Sequence, residues 1–333
     1  MKICKCKKNI WCLILIFSIV LISITIFNLQ KSKSEILNSN CYNLKLLCKS
    51  NALILEKDIK KITYLADVLE NIVLHNINLN EVRDDNEKMN EFQTKIEKEF
   101  IAAIDSFENK SGWFVFDSKT IKGGHSFEFV RDDNKYIRYP EYDIYKEGNN
   151  EDEWWKDAVN NSTHWSKPYY WHLWNANIIS YSKAVYIGDE LLGVCGGEIF
   201  FDHLKNHMTN LKIYNDGYAT LLNNEYDFLY HPDKTVTSLK TLDNGEYIWM
   251  VNQINNDEDS FGVINYDYKG DPKILAYNKL SNGFIFTINF KEKELYKDYY
   301  DIRMYMILRT VIAIILVSII CIFIDKKSNE IST

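Results

Sequence analysis

Two long apolar runs, one near each end of the chain, constrain its fold more than any other feature. Residues 10–29, IWCLILIFSIVLISITIFNL, carry no charge and are long enough to cross a bilayer as a helix. Residues 304–324 form a second run in which Arg309 is the single charge, and a long arginine side chain near a helix end can reach the lipid headgroups. The sequence therefore predicts two transmembrane helices with residues 31–303 between them.

The charges beside the two runs predict the orientation. Residues 1–9 carry four lysines, and the tail 325–333 carries two. Positive charge marks the cytoplasmic flank of a transmembrane helix. Both ends are therefore predicted in the cytoplasm and residues 31–303 outside it, with the chain held in the cell (plasma) membrane. A cleaved signal peptide is the alternative for the first run, but no small-x-small cleavage site follows it.

The composition argues against several classes of function. The net charge of −7 comes without a basic stripe, so nucleic acid is not expected as a partner. His203 and His207 lie four residues apart, but Leu204 stands where zinc proteases carry a glutamate. Neither a phosphate loop nor a serine elbow is present. The sequence therefore predicts no catalytic residues, no metal site and no cofactor, and an enzyme is not expected.

Three cysteines fall in the region between the two apolar runs. Cys41 and Cys48 lie seven residues apart on a predicted helix. That spacing separates them by roughly 10 Å, too far for a disulfide between them. We expect them to be small buried apolar residues, with a disulfide across a dimer as the alternative.

A long amphipathic helix is predicted at the start of the region outside the membrane. Residues 31–75 contain neither proline nor glycine, and apolar residues recur there every three or four positions, the pattern of one helix face. A shorter helix is predicted over 80–107. The apolar face of the long helix either packs on the protein's own sheets or also meets a second copy, and a homodimer is expected.

Beyond residue 110 the pattern changes to short strands. Residues 112–118, 125–133 and 178–201 are predicted strands, and 154–161 a short helix. A second set of strands lies within 218–290 and includes the segment YIWMVNQI, residues 247–254. We therefore predict an α+β fold in which helices (31–110) precede two antiparallel-sheet units, 111–211 and 212–303.

The segment EDEWWKDAVNNSTHWSKPYYW, residues 151–171, concentrates four tryptophans and two tyrosines. With AVYIGDELLGVCGGEIFFDHL, GYATLLNNEYDFLYHPD and ILAYNKLSNGFIFTINFKEKEL following in that order, residues 31–303 resemble the double Cache (dCache) family of bacterial extracytoplasmic sensor domains. The resemblance implies two stacked PAS-like units behind a long helix. It also implies a small-molecule pocket in the membrane-distal unit, 111–211.

The resemblance also indicates which residues line that pocket. Amino-acid-binding members carry an arginine two residues before a tryptophan-tyrosine pair, and an aspartate on a later strand. Here the pair aligns with Trp154 and Trp155, the arginine position with Asp152, and the aspartate position with Glu198. Asp152 cannot bind a carboxylate, because like charges repel.

Two acids among aromatic rings are suited to a cation, because aromatic faces attract ammonium groups. We therefore predict a pocket for an amine or an amino-acid-like ligand. Its predicted lining residues are Tyr145, Asp152, Trp154, Trp155, Tyr169, Trp171 and Glu198. The alternative is that the tryptophans only pack in the core, and that Glu198 forms an ion pair with Lys183.

The predicted function is a membrane-anchored extracytoplasmic small-molecule sensor. Because the nine residues after the second run are too few for an output domain, we expect it to signal through a partner in trans. The alternatives are a non-signalling envelope ligand-binding or adaptor protein, and a truncated chemoreceptor or sensor kinase without its output module.

Overall fold

One continuous helix, α1 (Ile3–Asn76), contains both the first apolar run and the predicted amphipathic helix. The computed structural model describes residues 3–132, 135–139, 153–172 and 174–331. The last helix, α8 (Lys297–Ile331), contains the second apolar run. Both α1 and α8 include segments long and apolar enough to cross a membrane, with exposed side chains. They meet there through Thr25 and Thr310, whose hydroxyls are 2.7 Å apart.

Six further α-helices and twelve strands lie between these two helices, in the residues that the structure covers. The helices are α2 (Leu79–Val82), α3 (Asn86–Ser106), α4 (Glu153–Asn161), α5 (Phe201–Thr209), α6 (Ile248–Asn256) and α7 (Glu292–Leu295). The strands are β1 (Ser111–Phe116), β2 (Ser126–Asp132), β3 (Lys135–Arg138), β4 (Thr163–Trp165), β5 (Tyr169–Trp171), β6 (Ala176–Ile187), β7 (Glu190–Phe200), β8 (Tyr218–Leu222), β9 (Phe228–Tyr230), β10 (Phe261–Tyr268), β11 (Asp271–Lys279) and β12 (Ile285–Lys291).

The strands form two antiparallel sheets, as predicted. The first sheet has the order β3-β2-β1-β7-β6-β4, with β5 also paired to β6. The second has the order β10-β11-β12-β8-β9. The second sheet lies nearer the two apolar segments along α1, because Glu56 accepts a hydrogen bond from the Ser281 amide just after β11, whereas Asp67 bonds to the first sheet through Lys183.

The buried stripe of α1 packs against the inner faces of both sheets. Its fully buried residues include Leu44, Cys48, Leu55, Ile62, Leu69 and Val73. They share one apolar core with α3, with Phe114, Phe116 and Phe127 of the first sheet, and with Phe286, Ile288 and Phe290 of the second. The prediction of an amphipathic α1 packed on the protein's own sheets is therefore confirmed.

Each outer sheet face carries a smaller separate core under a short helix. On the first sheet, Trp113, Val115 and Val194 pack with Trp155 and Ala158 of α4. On the second sheet, the outer face packs against α6, whose buried residues are Met250, Val251 and Ile254. Both outer faces are therefore covered by a helix, and a cavity lies between the second sheet and α6.

Two predicted elements differ from the structure. Residues 247–254 are not a strand: α6 covers them, because their buried side chains recur every three or four residues and match one helix face. The predicted helix over 80–107 is broken into α2 and α3. The break falls at Asp85, whose carboxylate caps α3 by accepting from the Glu87 and Lys88 amides.

The predicted burial of the cysteines is confirmed for Cys48 but is wrong for Cys41. The Cys48 side chain is fully buried, and burial raises the pKa of its thiol to about 12. Cys41 is exposed, because it lies outside the buried stripe of α1. A thiol as buried as Cys48 cannot reach a second molecule, so only Cys41 of this pair remains available for contact across a dimer.

Candidate functional site

The outer face of the first sheet brings two carboxyl groups together beside a tryptophan. Trp113 in β1 lies directly opposite Glu128 in β2 and Gly196 in β7. Residues opposite each other point to the same face, and every second residue along a strand shares it. Glu198, two residues beyond Gly196, therefore lies on the same face as Glu128 and Trp113.

Gly196 allows the Trp113 ring to lie flat across the sheet. A Cβ at this position would lie 2.6 Å from Trp113 Cζ2 and 1.9 Å from the Tyr181 carbonyl oxygen. No larger residue fits without moving the backbone of β6. Gly196 therefore fixes the position of the Trp113 indole, and in that position the indole Nε1 donates a hydrogen bond to Glu198.

Glu198 is buried, with 7% of its surface exposed, and its carboxyl group is hydrogen-bonded at both oxygens. Trp113 Nε1 donates to one oxygen and the Ser111 hydroxyl to the other. Burial raises the pKa of Glu198 to about 7, and the two donated hydrogen bonds oppose the rise. A carboxyl group with this pKa changes charge close to neutral pH.

Glu128 is the second carboxyl group of the site. Burial, and then the negative charge of Glu198, raise its pKa to about 8. Two adjacent acids that titrate near neutrality repel each other once both are ionised. A bound cation would relieve that repulsion and lower both pKa values.

Aromatic rings line one side of this carboxyl pair. The ring centroids of Trp113 and Trp154 are 5.1 Å apart at 75°, and those of Trp154 and Trp155 are 5.8 Å apart at 89°. Trp155 is buried among core residues, whereas Trp154 is half-buried. Trp154 is therefore placed at the site, and Trp155 supports it by packing.

Tyr169 approaches the carboxyl pair from β5. Its hydroxyl is 2.7 Å from the Ser180 hydroxyl, and Ser180 lies opposite Glu198 across β6 and β7. Trp171, in the same strand, contacts the rings of Tyr169 and His172. The structure thus brings Trp154, Tyr169 and Glu198 together, with Trp171 next to Tyr169 at the edge. Tyr145 and Asp152 lie outside the described residues.

The alternative pairing of Glu198 with Lys183 is wrong. Lys183 lies opposite Cys195, on the inner face, and its ammonium group is 2.5 Å from Asp67 and 2.6 Å from Glu70 of α1. Lys183 pairs with Cys195, which is three residues before Glu198 in β7. Because side chains alternate between the two faces along a strand, Lys183 and Glu198 point to opposite faces of the sheet.

The sequence reasoning missed Ser111, Trp113, Glu128 and Ser182. Glu128 could have been noticed as the one acid within the apolar strand SFEFV. Ser182 lies opposite Gly196 on the outer face. Its hydroxyl is fully buried and, among the described residues, has no hydrogen-bond partner. A buried hydroxyl without a partner is rare, and a ligand group would satisfy it.

Solved structures of bacterial sensory domains share this architecture. The chain is similar to the periplasmic sensory domain of the Campylobacter jejuni chemoreceptor Tlp1, with 13% identity and a TM-score of 0.58, over 78% of this chain and 98% of that one. It is also similar to the sensory domain of the C. jejuni chemoreceptor Tlp3 with isoleucine bound, with 14% identity and a TM-score of 0.51, over 79% and 97% of the chains. No curated protein sequence matches the chain.

The Cache domain family matches residues 37–299, which include both sheets, α3 and the part of α1 that packs on them. The family and the structural neighbours are sensory ligand-binding domains and not enzymes. With the match covering most of the sequence and the two-sheet fold in agreement, the chain belongs to the Cache domain family of sensory domains.

Proposed function

We propose that this sensory domain binds a small amine on the outer face of its first sheet. The observation that carries the proposal is the pair formed by the half-buried Glu128 and the buried Glu198, framed by Trp113, Trp154 and Tyr169. Two carboxylates supply the charge for an ammonium group, and the indole and phenol rings supply faces that attract it. Ser182 supplies a further hydrogen-bonding group.

The positions of two nearby arginines favour an amine over a carboxylate ligand. Arg138 donates to Gln93 of α3 across 2.5 Å, and Arg131 lies 3.4 Å from Asp105 of the same helix. Both therefore engage α3 behind the sheet. A ligand carboxylate at Glu128 and Glu198 would meet like charges in a low-dielectric site.

A thermal-shift titration of the full chain in lipid nanodiscs tests the proposal. Amines, amino acids and carboxylates are compared on the wild type, on Glu198→Gln, and on Glu258→Gln, an exposed acid that serves as the charge-matched control. A ligand at about a hundred times its Kd stabilises the folded state by about 2.7 kcal/mol. We expect amines to raise the Tm of the wild type and of Glu258→Gln but not of Glu198→Gln. Equal shifts by carboxylates would contradict the proposal.

We also propose that residues 31–303 lie outside the cytoplasm. The exposed thiol of Cys41 provides the test, because it follows the first apolar run by about a dozen residues. A membrane-impermeant maleimide should label Cys41 in intact cells, with Cys41→Ser as the control. If Cys41 is labelled only after cell lysis, the orientation is the opposite of the one proposed.

Signals would pass to the membrane through α1 and α8. Ligand binding under α4 would shift these helices by roughly 1–2 Å, as in known helix shifts at interfaces. Asn40 of α1 donates a 2.7 Å hydrogen bond to the Leu295 carbonyl just before α8, so a movement of one helix reaches the other. Spin-label distances between α1 and α8 that do not change with an amine would instead favour a non-signalling binding protein.

We propose that two copies of this chain form a homodimer through α1. Apolar side chains at Tyr42, Leu46, Leu53 and Tyr64 are exposed on the helix, away from the sheets. Exposed apolar stripes of this kind mark interaction sites. Mass photometry should show a dimer for the wild type and a monomer for Leu46→Glu with Leu53→Glu. A wild-type monomer at micromolar concentration would contradict this interface.

A further inference from the structure

A second cavity lies on the outer face of the second sheet, between the sheet, α6 and the loop that follows β9. Its volume is about 280 Å³. A volume of about 30 Å³ per water molecule makes it equivalent to about nine waters. It thus lies close to the lower end of ligand pockets, about 300 Å³. The cavity can hold a small molecule with a single ring.

The floor of this cavity is a chain of neutral polar groups on the central strands. The hydroxyls of Thr220 and Thr287 are 2.6 Å apart across β8 and β12. Asn289 Nδ2 donates to the Thr287 hydroxyl at 2.8 Å, and the Tyr266 hydroxyl donates to Asn289 Oδ1 at 3.4 Å. Thr220, Thr287 and Asn289 are all buried. Hydroxyls and an amide can donate to or accept from a ligand edge without carrying charge.

Aromatic and aliphatic side chains form the walls. The His231 ring lies 5.4 Å from Tyr218 and 4.9 Å from Phe228, both edge to face. Met250 of α6 and Leu275 of β11 complete the apolar lining. Walls of this composition favour a flat ring.

The charged groups at this cavity lie at its mouth. The exposed Asp233 carboxylate already accepts from the Thr235 amide and hydroxyl. The Lys273 ammonium group lies 4.5 Å from the centre of the Tyr268 ring. Burial lowers the pKa of His231, so this imidazole is neutral at pH 7. An ionic ligand in the interior would lose its hydration without gaining a counter-charge, which is costly.

We infer that this cavity is a second binding site, for a small uncharged molecule with a planar ring and an amide-like edge. The ring packs between the aromatic walls and Leu275. The edge exchanges hydrogen bonds with Thr287 and Asn289. The site is separate from the carboxyl pair of the first sheet, and its ligand class is different.

Three probes of nearly equal shape test this inference on the full chain in nanodiscs. Benzamide is neutral, benzoate is an anion and benzamidine is a cation at neutral pH. Ligand-observed NMR measures the affinity of each one. Benzamidine is also measured on Glu198→Gln, so that any binding at the first sheet is subtracted. We expect benzamide to bind at least about tenfold more tightly than either ion, because the interior offers no counter-charge.

Two variants locate the binding. Val236→Trp fills the mouth and should abolish benzamide binding, while Val236→Ala leaves the mouth open and should keep it. Thr287→Val removes the central hydroxyl with little change in shape and should weaken benzamide roughly threefold to tenfold, the value of one neutral hydrogen bond. If circular dichroism shows that Val236→Trp does not fold, the benzamide affinity of Thr287→Val alone tests whether benzamide binds in this cavity.

Three results would overturn the inference. The first is the absence of benzamide binding at millimolar concentration. The second is equal affinity for all three probes, and the third is binding that Thr287→Val leaves unchanged. Benzamide binding that is lost in Glu198→Gln but kept in Thr287→Val would place the molecule at the first sheet. The proposal for the first sheet is tested independently, by amines, so the two proposals can fail separately.

Discussion

The two sheets have the same plan, but the first carries acidic groups on its outer face and the second carries neutral polar groups. Each packs its inner face on α1 and covers its outer face with one short helix. The first sheet places Glu128 and Glu198 beneath α4, whereas the second places Thr220, Thr287 and Asn289 beneath α6. In the two proposals, the shared plan specifies where a ligand would bind, and a few side chains on central strands specify the charge of that ligand.

The difference also extends to what the covering helices provide. Tryptophans of α4 stand beside the carboxyl pair, where an indole face attracts a cation. Met250 of α6 is apolar and flexible, and it fits a neutral ring. In both units the sheet supplies the polar groups and the helix supplies the apolar cover.

The largest expected effect is the loss of amine binding when the first sheet loses its charge. Glu198→Gln keeps an acceptor for Trp113 Nε1 but removes the charge. We expect the amine Kd to rise about 100-fold, or about 2.7 kcal/mol. Isothermal titration calorimetry measures the change. Asn289→Asp is the converse variant, and it should shift the second cavity from benzamide toward benzamidine. If the amine Kd is unchanged in Glu198→Gln, the two outer faces do not differ in the ligand charge that they select.

The second prediction concerns pH. The folded-state pKa values of Glu128 and Glu198 lie above those of an unfolded chain, so the folded state holds more protons. The stability from these groups is complete below about pH 4.5 and is lost as pH rises through about 7 to 8. We expect the free energy of unfolding to fall by several kcal/mol between about pH 5 and pH 8, since each unit of difference in pKa corresponds to about 1.4 kcal/mol.

Chemical denaturation at several pH values measures this slope. The double variant Glu128→Gln with Glu198→Gln should flatten it. His231 in the second unit acts in the opposite direction, because burial lowers its pKa and its contribution is lost as pH falls. A slope that is the same in the double variant would show that the carboxyl pair is not responsible.

The third prediction compares glycines that lie under aromatic rings in the two sheets. A Cβ on Gly196 would lie 2.6 Å from Trp113, and one on Gly262 would lie 2.2 Å from the Tyr277 hydroxyl. Overpacking of this kind costs about 1–3 kcal/mol. We expect Gly196→Ala to cost about 3 kcal/mol, because its Cβ also meets the Tyr181 backbone oxygen at 1.9 Å, and Gly262→Ala to cost about 1 kcal/mol, because its Cβ meets only a side chain. Gly197, with its nearest atom at 3.1 Å, is the control and should lose less. Urea denaturation gives the three values.

The smallest expected effect is at Ser182. Its buried hydroxyl has no partner among the described residues, so Ser182→Ala removes an unsatisfied group and should not lower the free energy of unfolding. If the hydroxyl binds the amine, the Kd should rise about fivefold, or about 1 kcal/mol. Ser180→Ala, which removes the partner of Tyr169, is the comparison. A loss of stability without a change in Kd would make Ser182 structural.

Regular patterns made much of the fold predictable. The apolar stripe of α1 required a helix because its spacing follows the helical period, and the stripe is buried as expected. Strands β1, β2, β6 and β7 were recognisable from apolar runs bounded by turn residues. Residues 247–254 were mistaken for a strand, because a short apolar run has no clear period until its packing partners are known.

The site could be predicted only in part. Glu198, Trp154 and Tyr169 were predicted from the family resemblance. Glu198 and Trp154 both contact Trp113, and Tyr169 contacts Ser180, which lies opposite Glu198. Glu128 is 70 residues before Glu198, and strand order alone places β2 and β7 on either side of β1. No local pattern carries that information.

The sequence by itself determined the amphipathic α1, the apolar segments at both ends and the antiparallel strands, because these depend on neighbours a few residues apart. Only the tertiary structure decided which acids meet. Register turned Lys183 toward α1 and Glu198 toward Glu128, since a shift of one residue in a strand reverses the face. Burial then raised the pKa values of both acids, and burial is a property of the assembled sheets.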